Sequence, residues 1–319
     1  MKVLVTGGAG FIGSQLVERL LRNGQDVRVL DNFSTGHRAN LAAFSDDVDV
    51  VEGDIQSYER VHNAVRGCDA VLHQAALPSV PRSIADPLTS HATNATGTLN
   101  VLLAARDEDV RRLIFASSSS VYGAVEGLPK RETMPTMPIS PYGSAKLAAE
   151  SYCRSFHEIY GLETVALRYF NVFGPRQDPN SEYAAVIPKF IAAYALGRAP
   201  IIFGDGEQSR DFTYVDNIVD ANLAALDAPG VSGRVYNVAC GERITLNALA
   251  AELRGQMGVD VEPVHGPARP GDILHSLADV QRARDELGYE PGVGFPEGLR
   301  RTLEHARQGL LTTTAGFRS

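Results

Sequence analysis

The first 170 residues alternate between two hydrophobic rhythms. Short β-branched and apolar runs read as strands: KVLVT (2–6), DVRVLD (26–31), DVDVVEGD (47–54), DAVLHQAA (69–76), RRLIFASS (111–118) and ETVALRYF (163–170). Between them lie segments with apolar residues at helical spacing: 14–24, 57–67, one long helix over 86–107, and 140–161. Leu16, Leu20 and Leu21 mark the first of these, and Gly24 ends it. Ser140 as N-cap and Pro141 at the first helical position open the last. Strand–helix alternation of this kind predicts an α/β fold built on a doubly wound parallel sheet.

After residue 170 the rhythm breaks. NVFGPRQDPN reads as loop and IIFGDG (201–206) as a short strand and turn. Helices are expected over 186–197, 215–226 and 245–258, and a strand over 234–239. From about 260 the pattern suggests loops with two short helices, and TTTAGFRS (312–319) a frayed tail. There is no internal repeat and no low-complexity segment.

Composition narrows the partners. The net charge of −8 argues against nucleic acid or an anionic membrane surface as the main partner, while leaving room for local arginines to hold a small anion. No run of 18 apolar residues occurs, so no membrane span is expected. The first strand begins at Lys2, so no signal peptide is expected. Cys68, Cys153 and Cys240 are scattered and odd in number, without metal-ligand spacing. They read as plain thiols, which implies no metal site and a reducing, cytoplasmic setting.

Two motifs carry chemistry. GGAGFIG follows the first strand and opens the first helix, with Gly7, Gly10 and Gly13 spaced to let backbone N–H groups approach a pyrophosphate. Asp31 ends the second strand, where a carboxylate can take both ribose hydroxyls of NAD and would repel a 2′-phosphate. Asp54 and Ile55 end the third strand. They suit an adenine edge and face, and Asp54 equally suits a cap on the helix that follows. His73, in an apolar strand, reads as a satisfied core histidine. Further along, PYGSAK places Tyr142 and Lys146 on one face of a helix, so that a lysine ammonium and a positive nicotinamide would lower the phenol pKa toward neutrality and make it a general base.

On these residues the chain resembles an extended short-chain dehydrogenase/reductase of the nucleotide-sugar epimerase branch. The resemblance runs in order through GGAGFIG, DNFSTG (31–36), Asp54–Ile55, SSSSVYG (117–123), PYGSAK, RYFNVFGPRQ (168–177), GDGEQSRDF (204–212) and RPGD (269–272), covering nearly the whole chain. It is most similar to the UDP-N-acetylglucosamine 4-epimerase group, through QAALPSVPRS, YFNVFGPRQDPN, YAAVIPKF and VYNVACG.

The resemblance implies a Rossmann-like sheet with a smaller α/β substrate-binding lobe. Residues 1–170 would form the NAD-binding domain, with helix 215–227 and strand 234–239 returning to it, and 171–319 would mainly bind the UDP-sugar. It implies NAD contacts from Gly7, Gly10, Phe11, Ile12, Gly13, Asp31, Asn32, Ser34, Gly36, Asp54, Ile55, Gln74, Ala75, Ala76, Tyr142, Lys146 and Tyr169. Ser118, Tyr142 and Lys146 would be catalytic. Ser119, Ser120, Ser79 and Arg82 would line the hexose, and Asn171 would hold a diphosphate or sugar group. Val186, Ile187 and Phe203 would meet the uracil, Arg210 and Arg269 the diphosphate, and Asp272 the uridine ribose. Ser276 would be a size gate. The family commonly pairs two helices of the first lobe in a homodimer.

The serine run then acquires meaning. Related dehydratases carry an Asp–Glu pair just before VYG, and related decarboxylases a Glu; here Ser119 and Ser120 stand there. With no carboxylate to work at C5 or on a leaving hydroxyl, hydride chemistry at C4 is the expected reaction. The small Ser276 favours UDP-GlcNAc/UDP-GalNAc, with UDP-Glc/UDP-Gal also accepted. The alternatives are a UDP-uronic acid 4-epimerase, in which Arg82 meets the carboxylate, a nucleotide-sugar dehydratase or reductase, and a silent NAD binder. The intact Ser118, Tyr142 and Lys146 speak against the last.

Overall fold

The computed structural model describes residues 1–178, 185–268 and 274–315, with side chains through Gln308. In chain order the strands are β1 (Lys2–Thr6), β2 (Asp26–Asp31), β3 (Val48–Glu52), β4 (Ala70–His73), β5 (Arg112–Ser118), β6 (Glu163–Tyr169), β7 (Val172–Phe173), β8 (Ile201–Phe203), β9 (Ser209–Arg210), β10 (Thr213–Tyr214), β11 (Arg234–Val238), β12 (Ile244–Thr245) and β13 (Val264–Gly266). The α-helices are α1 (Phe11–Arg22), α2 (Tyr58–Val65), α3 (Val80–Ala85), α4 (Pro87–His91), α5 (Thr98–Asp107), α6 (Pro141–Tyr160), α7 (Val186–Ala195), α8 (Val215–Asp227), α9 (Leu246–Met257), α10 (Gln281–Leu287) and α11 (Phe295–Ala315).

Seven strands make one wholly parallel sheet in the order β3-β2-β1-β4-β5-β6-β11. The strand order reverses between β1 and β4, and in open α/β sheets the crevice at that point receives ligands. Strand alternation divides the core. Val3, Val5, Ile114 and Ala116 pack with Leu16, Val17 and Leu20 of α1 and Ile218, Ala221 and Ala225 of α8. Leu4, Leu113 and Phe115 pack with α2, α5 and α6 through Val61, Val101, Ala149 and Cys153. A third cluster joins Ile187 and Phe190 of α7, Leu249 and Leu253 of α9, and Leu299 and Leu303 of α11 around Ile202, Phe212 and Tyr214. The pairs β7–β10, β9–β12 and β8–β13 brace this part of the chain.

Two expectations are corrected. The single helix over 86–107 is instead α4, a wide π turn over Ala92–Gly97, and α5, preceded by the unforeseen α3. Asp86 caps α4 by accepting the Thr89 N–H at 3.0 Å, with Pro87 behind it. The wide turn is held by Asn94, whose side chain exchanges two hydrogen bonds with the Leu77 backbone. At the other end, one short helix, α10, is followed by the 21-residue α11, which continues to Ala315 through much of the supposed tail. No described helix is long and apolar enough to cross a membrane.

Candidate active site

The glycine turn forms because nothing larger fits. Gly7 has φ +68°, and a Cβ there would lie 2.7 Å from the Ala75 backbone at the end of β4. A Cβ on Gly13 would collide with the Gly7 carbonyl oxygen. The first i→i−4 bond of α1 runs from the Ser14 N–H to the Gly10 carbonyl, 3.0 Å, so the amides of Phe11, Ile12 and Gly13 stand ahead of the ladder. No side chain caps this helix and no acid occupies its first turn. The result is a positive, backbone-lined cradle at the sheet's switch point, which fits a pyrophosphate.

Asp31 lies beside it, buried. Its two carboxylate oxygens accept the Ala9 N–H at 2.9 Å and the Phe33 N–H at 2.8 Å. Burial raises its pKa while these bonds oppose the rise. Each oxygen keeps a lone pair for a ribose hydroxyl. Gly36 packs against Ala9 and Asp31, and the Ser34 N–H bonds the Asn32 side chain at 3.0 Å. Asp54 does not cap α2; Ser57 does, and Asp54 instead accepts Asn32 Nδ2 at 2.8 Å and the Gln56 N–H at 2.8 Å. Ile55 is buried against Gly97. The donors, cradle and acid therefore fit NAD.

Gln74 reaches across the crevice to Tyr169 Oη and Asn222 Oδ1, both at 3.1 Å, and the Ala75 N–H bonds Thr6 Oγ1 at 3.2 Å. Burial pushes the Tyr169 phenol up to about 12. His73 is a satisfied core residue: Nδ1 pairs with Thr6 Oγ1 at 2.6 Å and Nε2 with Thr98 Oγ1 at 3.0 Å, and burial pushes it down to about 3.

Ser118 ends β5 and its hydroxyl meets the Tyr142 phenol. It also receives hydrogen bonds from the Ser120 N–H at 3.2 Å and Ser120 Oγ at 2.9 Å. The start of α6 closes tightly over Ser119–Val121, because a Cβ on Gly143 would lie 2.7 Å from the Ser120 carbonyl. Ser140 Oγ accepts the Gly143 N–H at 3.1 Å and fixes this end. Lys146, buried one turn on, has Nζ 5.9 Å from the Tyr142 ring centre.

Without the nicotinamide, burial dominates at the phenol. Burial pushes the Tyr142 phenol up to about 12, with only the Ser118 hydrogen bond opposing it. The Lys146 ammonium is directed at the Ala116 carbonyl, 2.8 Å away, and burial brings it down to about 8. The helical spacing was right, but the direction of Nζ within the site decides which charge it offsets.

On the far side, Ser79 has φ +97° and caps α3 by accepting the Arg82 N–H at 3.3 Å. Asn171, at φ +30°, accepts the Thr213 N–H through its carbonyl at 3.2 Å. Val186 and Ile187 begin α7 and Phe203 ends β8. Arg210 Nη1 donates to the Ser209 and Leu274 carbonyls at 3.0 and 3.2 Å, and the Ser276 N–H bonds the Ser209 carbonyl at 3.0 Å. Arg269 and Asp272 lie outside the described residues. Sequence reading overlooked Asn222, which orients Gln74 and Tyr169, and buried Asp211, which accepts the N–H groups of Cys240, Gly241 and Ala278 at 3.0–3.1 Å. An amide inside the otherwise apolar NLAAL face was the available signal for Asn222.

A doubly wound sheet with a glycine turn opening α1, a buried acid beside it and a Ser–Tyr–Lys corner fits a nucleotide-dependent enzyme that moves hydride and proton. The profile of the NAD dependent epimerase/dehydratase family matches residues 3–239. A UDP-glucose 4-epimerase from Mycolicibacterium smegmatis is 40% identical, covering 96% of this chain and 99% of its own. A solved UDP-N-acetylglucosamine 4-epimerase from Methanobrevibacter ruminantium, in complex with UDP-N-acetylmuramic acid, is 42% identical with TM-score 0.92 over 97% of this chain and 98% of its own. A Thermus thermophilus UDP-glucose 4-epimerase in complex with NAD is 39% identical with TM-score 0.88 over 96% and 99%. The chain belongs to the NAD dependent epimerase/dehydratase family, and its cofactor is NAD.

Proposed function

We propose that the chain is a UDP-hexose 4-epimerase that favours UDP-GlcNAc/UDP-GalNAc and also accepts UDP-Glc/UDP-Gal. The observation that carries this is the hydroxyl corner: Tyr142 stands against Ser118, with serines at 119 and 120 where dehydration would need acids. When bound, NAD supplies the acceptor and later the donor for the hydrogen at C4. Tyr142 takes the proton of the C4 hydroxyl and gives it back to the C4 oxygen after the keto sugar has turned over. Ser118 holds that oxygen in line with the phenol. To act as base the phenol must ionise in the loaded enzyme. The charges available against its burial are Lys146 and the oxidised cofactor. Arg210 and Arg269 would hold the diphosphate through both halves of the cycle, and a small residue at Ser276 supports room for an N-acetyl group.

The same reading assigns residues 1–170, with 215–227 and 234–239, to NAD and most of 171–319 to the nucleotide sugar. Exposed Leu88, Tyr152 and Ile159, in the helical stretches 86–106 and 140–160, support a homodimer through these two stretches.

The test uses purified protein with no added cofactor, given UDP-GlcNAc, UDP-Glc and UDP-glucuronic acid separately, with anomeric protons followed by NMR. A C4 epimer appears, fastest from UDP-GlcNAc. Tyr142→Phe keeps its NAD and loses roughly 10²–10⁴-fold in turnover, the usual worth of a general base. A 4-keto-6-deoxy product, or no conversion of any sugar, overturns the reading.

A further inference from the structure

A charged cluster lies directly behind the reactive corner. Glu150 sits one turn beyond Lys146 on α6, and its carboxylate is almost wholly buried, as is the Arg168 guanidinium on β6. Arg168 grips it with two bonds, Nε to Oε1 at 2.9 Å and an Nη2 to Oε2 at 2.7 Å. Ser117 Oγ donates to Glu150 Oε1 at 2.5 Å. Three adjacent elements thus meet at one carboxylate, and Ser117 immediately precedes Ser118. The guanidinium also lies 4.7 Å from the Tyr122 ring centre, and Tyr122 Oη donates to Asn237 Oδ1 at 2.7 Å, extending the chain to β11.

Stability alone does not explain such a pair. Desolvation of two ions cancels much of their attraction, and an apolar pair of the same volume often serves as well. What a bidentate ion pair adds is direction. We propose that Glu150 is a positioning residue: through Ser117 and Arg168 it sets the face of α6 that carries Tyr142 and Lys146 in register with the Ser118 end of β5. This rests on the active-site reading given above.

The electrostatic surroundings agree. Around Lys146 lie the Phe115 ring at 4.8 Å, the Tyr142 phenol, the Cys153 thiol, which burial keeps protonated, and His73, which burial keeps neutral. Glu150 opposes the effect of burial on Lys146, and Arg168 is the positive charge next beyond it. Behind the pair a cavity of about 580 Å³ is lined by Glu132, Arg154, His157, Glu158, Arg234 and Arg282, among others.

The test compares E150Q, the double variant E150Q/R168Q and E150D with the full-length enzyme, alongside Y142F. E150Q should lose about tenfold or more in kcat with KM within about threefold, the pattern of an interaction made in the transition state. Its alkaline limb of kcat should move to lower pH, because the Glu150 charge no longer opposes the effect of burial on Lys146. E150D should recover part of both. E150Q/R168Q removes both buried charges and so guards against simple misfolding; it should keep the kcat loss. A folded, NAD-loaded E150Q with wild-type kcat and wild-type limb overturns the proposal. So does full recovery of kcat in the double variant, which would make the pair a packing element only. If Y142F itself retains activity, the active-site reading fails instead, whatever Glu150 does.

Discussion

Gly13 offers the sharpest test of the cofactor cradle. A Gly13→Ala methyl would collide with the Gly7 carbonyl oxygen and stand 2.8 Å from its carbon and 2.9 Å from Gly8 Cα. All three are backbone atoms of the same tight turn, so no side chain can swing aside. Contact becomes ordinary at 3.4 Å, so α1 and the turn must part by at least 0.6 Å at the carbon alone. Overpacking of this kind costs about 1–3 kcal/mol. The strain falls on the Gly10 N–H to Gly7 carbonyl bond of 3.0 Å and on the leading amides of α1. If the cradle opens to relieve it, the same energy appears as a loss of about 5- to 150-fold in NAD affinity. The assay is NAD content per chain after purification, then calorimetric titration of the stripped protein. Gly255→Ala is the control: it lies inside α9 with nothing within 4 Å of its added methyl, and should gain up to about 1 kcal/mol from helix propensity. Unchanged NAD content and melting temperature in Gly13→Ala would refute the cradle argument.

Two further predictions concern pH. Folded His73 stays neutral down to about pH 3, whereas the unfolded chain protonates it near 6.5. Its contribution is therefore complete above pH 6.5 and is lost as pH falls toward 3, at most about 1.4 kcal/mol per pH unit. Denaturant titrations at several pH values should show a shallower acid slope in His73→Gln, and an unchanged slope would discard this origin. Asp211 behaves in the opposite sense: burial lifts it to about 6, so the stability that comes with its protonated form is lost as pH rises from about 3.8 through 6. In Asp211→Asn an amide group meets converging backbone N–H groups, a cost of about 1–3 kcal/mol. The gap to wild type should narrow between pH 4.5 and 7.5; a gap that widens would contradict the assignment.

What the sequence disclosed was governed by neighbours along the chain. The Gly7–Gly13 turn, Asp31 at its strand end and the Tyr142–Lys146 spacing are local patterns, and each side chain sits on the element expected. The wide turn at 92–97 was hidden because its cause, the Asn94–Leu77 exchange, joins residues in separate segments. α11 was underestimated because Gly298 interrupts its amphipathic pattern, although that glycine is what lets the helix approach the Tyr214 ring, 2.8 Å from where a Cβ would be. The burial of Tyr142 and the aim of Lys146 at the Ala116 carbonyl are three-dimensional quantities that no local pattern carries.

The place of β11 bears on how the chain can fold as it is made. β6 runs from Glu163 to Tyr169, yet its outer neighbour is Arg234–Val238, some 65 residues downstream. Until that segment leaves the ribosome, an inner strand that is buried along nearly its whole length in the finished fold is a sheet edge with its backbone groups unpaired, the arrangement that recruits other chains. A nascent polypeptide stalled or cleaved anywhere between 170 and 234 would be a candidate for chaperone capture, and fragments ending there should be insoluble while one ending past Ala239 closes the sheet.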